Sequence, residues 1–153
     1  MTQWIQITPD DLNDYLAGFQ VKVLREKVLA EGQDDPLPEI IADVAGQIRL
    51  EIQGHPGNQL SQMAQALPPE LKRHACALII EAAQGRLPVL KLTADQIRAT
   101  DNARRHLQRV ARGEVPVSAP EDPEDTPSAQ AGSSMEVARS RSNRITGERL
   151  RGL

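Results

Sequence analysis

The chain is nearly without aromatic residues: among its 153 residues there is one Trp, one Tyr and one Phe. A core built without them has to be filled by Leu, Ile, Val and Ala, which pack well along helix stripes, and that favours an all-helical domain. A single cysteine, Cys76, excludes an intrachain disulfide and supports neither an oxidising compartment nor a cysteine-based zinc site. Its thiol reads as a small core residue. No run approaches the ~20 apolar residues that span a bilayer, and Met1-Thr2-Gln3-Trp4 lacks the basic and apolar regions of a signal peptide, so a soluble protein made in the cytoplasm, without membrane contact, is expected. The hydrophobic share of 39% is low and the length leaves room for one domain, which limits the molecule to one modest core.

Motifs for chemistry are scarce as well. There is no GxxxxGK[ST] and no GxGxxG, so a phosphate loop has no support. The three histidines, His55, His74 and His106, fall in different expected elements and none has a metal-ligand spacing with a second His or a carboxylate. His74 and Cys76, two residues apart on one helix, point in different directions, which argues against a nucleophile and base pair. Asp10, Asp11 and Asp14, and the run from Glu121 to Asp125, lack the spacing of a calcium loop and read as helix-start charge and solvated chain. The expectation is a protein that is not an enzyme, with no catalytic residue, metal or cofactor.

What is present is helix punctuation. Thr8-Pro9-Asp10-Asp11-Leu12 combines a hydroxyl cap, a first-turn proline and carboxylates at the positive end of a helix dipole, predicting a short helix to about Ala17. After Gly18, apolar spacing from Phe19 to Leu29 predicts a second short helix, with a strand over Phe19 to Leu24 as the alternative. The clearest helix opens at Pro38: Ile40, Ile41, Val44, Ile48 and Ile52 form one stripe, Glu39, Asp43, Gln47, Arg49 and Glu51 lie mostly off it, and Gly54 stops it. A long loop follows to Leu67, the kind of connection that makes contacts. Pro68-Pro69-Glu70 begins a central helix whose alanines permit close approach of its neighbours. Thr93-Ala94-Asp95-Gln96 is a capping box for a last helix through Ile97, Ala103, Leu107 and Val110, ending at Gly113. Its outer face carries Arg98, Arg104, Arg105, Arg109 and Arg112, which can touch nucleic acid or an acidic protein surface, or simply complement the dipole.

The net charge of −3 conceals a segregation. Residues 1–113 carry 13 basic and 14 acidic side chains, residues 114–134 carry 5 acidic and no basic ones, and residues 135–153 carry 5 basic and 2 acidic. Pro116, Pro120, Pro123 and Pro127 among the acids make 114–134 read as an extended, self-repelling linker. The stretch 135–153 sets Ile145, Leu150 and Leu153 among Arg139, Arg141, Arg144, Arg149 and Arg151, a pattern that suits a protein groove better than a DNA duplex. The expected molecule is therefore an all-α small helical bundle over 1–113, with a long extended C-terminal tail made of an acidic linker and a basic docking arm.

Four stretches resemble the phage head-tail connector (adaptor, head completion) proteins, particularly the branch from Mu-like prophages. Ile7 to Leu12 looks like that family's first helix start, and Leu37 to Ile52 is similar to its first long helix. Leu67 to Ala77 is similar to its proline-started central helix, and Arg105 to Val115 looks like its final helix and glycine exit. None is specific alone; their order and spacing over residues 7–115 make the match. The sequence departs from the pattern at His55-Pro56-Gly57-Asn58, where aromatic residues are usual. The resemblance implies a virion protein without an active site, made in the host bacterial cytoplasm. It would form a homo-oligomeric ring of twelve copies under the portal protein, contact downstream tail or neck proteins, and carry the DNA channel toward the tail in nonspecific proximity to packaged DNA. The alternative from another class is a DNA-binding packaging protein, such as a small terminase subunit, or a helix-turn-helix regulator, gripping phosphates with the arginine face and tail.

Overall fold

The computed structural model describes residues 1–15, 35–86 and 91–124. Among them are three α-helices, α1 (Leu37–Gln53), α2 (Lys72–Arg86) and α3 (Ala94–Ala111), two short 3-10 turns, Pro9–Asp14 and Pro69–Leu71, and no strand. The second helix expected over 19–29, and the strand weighed against it, lie outside the described residues.

Helix α1 forms where the isoleucine stripe requires it: Ile40, Ile41, Val44, Ile48 and Ile52 are buried together with Leu37 and Ala45. Asp35 caps its start, accepting a hydrogen bond from the Leu37 N–H at 3.0 Å. Helix α2 buries its small-residue face, Ala75, Cys76 and Ala83 with Ile79 and Ile80, between the other two. Helix α3 begins with the expected capping box, the Thr93 hydroxyl accepting from the Gln96 N–H and the Gln96 side chain from the Thr93 N–H. Arg86 at the end of α2 pairs with Glu39 at the start of α1, and Gly54 beyond the end of α1 lies against Ala111 at the end of α3. So α1 and α3 run the same way and α2 runs against both, giving an all-α bundle around one aliphatic core.

The opening Thr8-Pro9 signal makes a 3-10 turn in place of a regular helix. The Asp11 carboxylate folds back to accept from the Thr8 N–H and hydroxyl at 2.8 and 2.9 Å, and it also receives Lys72 of α2 at 2.6 Å. The Lys72 hydrogen bond, reinforced by the one from the Thr8 backbone, lowers the Asp11 pKa from its ordinary value. The turn is thereby fastened to the bundle, and Leu12 is buried beneath it. Ile97, expected in the core of α3, is 50% exposed; Thr100 is buried instead, its hydroxyl donating to the Gln96 carbonyl at 3.0 Å.

The end of the domain lies farther along the chain than the sequence suggests. Gly113 ends α3, but residues 114–124 do not run free as the linker reading required. Val115 and Val117 pack on the core and Pro120 is buried. The Thr2 N–H donates to the Ala119 carbonyl at 2.9 Å and the Trp4 indole N–H to the Ser118 carbonyl at 3.0 Å. The Ser118 N–H and hydroxyl both donate to Glu70, at 2.8 and 2.7 Å. Burial alone would raise the Glu70 pKa, but these two donors together with Glu70's own backbone N–H outweigh it and hold it below its ordinary value. Farther on, the Gln62 N–H donates to the Asp122 carbonyl and the Ser61 hydroxyl to the Asp122 carboxylate, both at 2.8 Å. The described domain therefore extends at least to Glu124. Acidic, proline-rich composition repels itself in free chain, but here the carboxylates of Asp122 and Glu124 have donors waiting for them.

The loop after Gly54, ambiguous in sequence, is held from two sides. The His55 ring sits over Gly113, closing the loop onto the exit of α3. Arg49 of α1, only 13% exposed, donates from Nη1 to the carbonyls of Ala66 and Met63 at 3.0 and 3.3 Å, and from Nη2 to the Ser61 carbonyl at 2.8 Å and Glu124 at 2.7 Å. One guanidinium thus ties together helix, loop and returning chain.

Candidate interaction surface

Among the described residues no group of three or more His, Cys, Asp and Glu is placed to hold a metal ion, and no helix is long and apolar enough to cross a membrane. The surface features that remain are an arginine stripe, a histidine pair and a groove.

Helical geometry sets Arg98, Arg105, Arg109 and Arg112 on one stripe of α3, opposite the buried Ala103, Leu107 and Val110, over a length of about 21 Å at ~1.5 Å per residue. All four are exposed. The stripe is not a bare cationic surface. Glu114 accepts from Arg109 at 3.3 Å and lies 3.8 Å from Arg112, while Asp95 lies 3.7 Å from Arg98. Arg105 has no ion pair among the described residues. Arg104 belongs elsewhere, turned toward α2 and paired with Glu81. The expected set of five thus divides into an outer stripe and one inter-helix tie. Exposed pairs of this kind contribute ~0–1 kcal/mol each, so the stripe's arginines are available to a competing carboxylate or phosphate. The arm residues Arg139, Arg141, Arg144, Ile145, Arg149, Leu150, Arg151 and Leu153 lie outside the described residues.

Packing of α2 on α3 makes a pair that sequence spacing could not show: the His74 and His106 rings stack with centroids 4.5 Å apart and planes 22° from parallel. A metal ion sits in the plane of each imidazole that binds it, at about 2.0–2.1 Å. Two nearly parallel rings side by side do not converge on such a point. Stacking instead couples the pair through charge, since two imidazolium rings at this separation repel. Burial first, then His106 and Arg73, lower the His74 pKa from its ordinary value of 6.5. Below 6.5 the unfolded chain binds the proton more readily than the folded one, so stability is complete above that value and declines as pH falls through it toward the depressed folded value. The urea midpoint is expected to drop between pH 7.5 and 5.5, above the carboxylate range, and the drop to shrink in His74→Gln. A wild-type midpoint that stays flat across this window would refute the coupling. Cys76, on the inner face of the same helix, is buried and its thiol is pushed up to about 11, chiefly by burial, so it stays protonated.

The third feature is a groove of about 630 Å³ where α1, α2 and α3 meet. Its floor is aliphatic, from Val44 and Ile48 of α1 across Leu78 and Ala82 of α2 to Leu107 of α3. Its lips are polar. Arg86 pairs with Glu39 and lies 3.9 Å from Asp43, Arg104 pairs with Glu81, and Glu51 has no ion pair among the described residues. Arg86 is raised from its ordinary pKa by the Glu39 hydrogen bond, and Glu39 is lowered by the same contact. No protein-family model, curated protein or solved structure matches the chain.

Proposed function

We propose that the chain is a structural subunit of a phage head-tail connector, forming a ring under the portal and linking the DNA-filled capsid to the tail. The reading starts from the resemblance of residues 7–115 and is supported by the order of the elements: a capped turn, a long isoleucine-striped helix, a proline-started central helix and a final helix with a glycine exit. The observation that carries it is the position of two exposed apolar side chains. A ring of more than two copies closes through two different patches on each subunit. Leu50, 68% exposed near the end of α1, and Ile97, near the start of α3, lie toward opposite ends of the bundle because α1 and α3 run in parallel. Two such sites suit a head-to-tail ring. In this role the arm of residues 138–153 docks on the portal or an adjoining ring component, its arginines pairing with carboxylates and Ile145, Leu150 and Leu153 filling pockets. No step of the role requires a catalytic residue.

The test is assembly. The purified protein, alone and mixed with portal, is expected to give rings by electron microscopy. Leu50→Asp and Ile97→Asp should each abolish them with unchanged helical circular dichroism, and a mixture of the two variants should stop at dimers. Rings at normal yield from both variants would overturn the reading, as would normal particles after deletion of residues 135–153 for the arm. The DNA-binding alternative rests on the arginine stripe and predicts duplex affinity falling steeply with salt, by a slope of about 0.9 per phosphate neutralised. Glu114 beside Arg109 and Arg112 weighs against it.

A further inference from the structure

We propose that the groove between α1, α2 and α3 is the resting site of the chain's own basic segment, residues 138–153, which it holds in cis until a partner competes for it. The proposal rests on the reading of that segment as a binding arm and adds where the arm lies in the unassembled protein. Charge, apolar fit and reach each support it.

The carboxylates of Asp43, Glu51 and Glu81 outnumber the two arginines on the lips, and Glu51 stands without an ion pair among the described residues. The segment brings Arg139, Arg141, Arg144, Arg149 and Arg151 against one acid, Glu148. Between the lips, Leu78 and Ala82 are only partly buried, leaving apolar surface along the groove floor. Ile145, Leu150 and Leu153 are the apolar residues available to cover it. The last described residue, Glu124, is fixed beside Arg49 and Leu60 at the end of α1, close in sequence to the groove residue Glu51. Residues 125–137 span up to about 43 Å when extended, and α3 is about 27 Å long at ~1.5 Å per residue. Every part of the groove is within reach of the same copy, and a tether of this length gives an effective concentration on the order of millimolar, ahead of any second molecule in dilute solution.

Crosslinking in the full chain tests the site. Cys76 stays in place, since its buried, protonated thiol does not compete. A second cysteine at Ser142→Cys is paired with Gln108→Cys on the groove lip, and in a control with Asn102→Cys on the outer side of α3. An intrachain disulfide is expected to form about tenfold or more faster at the lip than at the control, a ratio equivalent to a bias of ~1.4 kcal/mol. Salt, Glu51→Lys and Leu150→Asp should each reduce that ratio toward one. Equal rates at the two positions would overturn the proposal, and a disulfide-linked dimer as the main product would overturn docking in cis. Neither result bears on ring formation, which the Leu50 and Ile97 variants test separately.

Discussion

Arg49→Ala is expected to cost the fold about 2–4 kcal/mol, which is large for one residue outside the apolar core. The side chain serves four acceptors at once, three of them backbone carbonyls of the loop, and of these only Met63 also accepts from a backbone donor, the Ala66 N–H at 3.2 Å. Removing it strands the Ser61 and Ala66 carbonyls and takes the Arg49 partner from Glu124, and the loop and the returning chain lose their common anchor. Glu124 itself matters less: its carboxylate is half exposed, so Glu124→Gln should stay within ~1 kcal/mol. Arg49→Lys should recover less than half of the loss, because an ammonium lacks the planar fork that reaches Nη1 and Nη2 acceptors together. Urea unfolding followed by circular dichroism distinguishes these outcomes. A loss below ~0.5 kcal/mol for the alanine variant would show that the loop is held by its apolar contacts alone.

Gly113→Ala is the second large effect, expected at about 1.5–3 kcal/mol. Gly113 has φ +74°, a conformation in which a Cβ crowds the following carbonyl by ~1–2 kcal/mol. A Cβ there would also meet the His55 ring at 2.6–2.8 Å, so the ring must swing away and the loop loses its seat on α3. A double-mutant cycle separates the two causes. In a His55→Ala background the steric part should vanish and the backbone strain remain, giving a coupling of about 0.5 kcal/mol or more. Additive losses would mean that the ring moves freely and that strain alone acts.

Much of this fold was legible in the sequence, because its helices carry their own punctuation. The stripe from Ile40 to Ile52, the proline start before Leu71 and the Thr93–Gln96 box each specify an element by local chemistry, and each appears where that chemistry puts it. What was illegible depends on contacts between distant residues. Arg49 lies off the apolar stripe and reads as solvent-facing; nothing local shows three carbonyls arriving from Ser61, Met63 and Ala66. His74 and His106 sit 32 positions apart in sequence, and only the packing of α2 on α3 stacks them. The stretch 114–124 has the composition of a solvated linker, yet it is held by hydrogen bonds to distant residues and by the packing of Val115 and Val117, which composition does not record. Ile97 fits the helical period but lies where neither α1 nor α2 covers it. Of the candidate contact residues, the five arginines of α3 were legible as an outward face, while the reassignment of Arg104 to Glu81 required knowing which helix lay beside it.

The return of residues 118–120 to Thr2 and Trp4 also shapes how the molecule reaches its native state. Contacts among α1, α2 and α3 join stretches near in sequence and form early at low entropic expense. Sealing Trp4 under Ser118 closes a loop of 114 positions, and that closure cannot precede synthesis of the segment after α3. On a ribosome the three helices can gather while the first strip of chain waits without its cover. Trp4 is the sole tryptophan, so in a refolding experiment its fluorescence follows this final seal, while far-ultraviolet circular dichroism follows the helices; the two signals should separate in time, with tryptophan the slower.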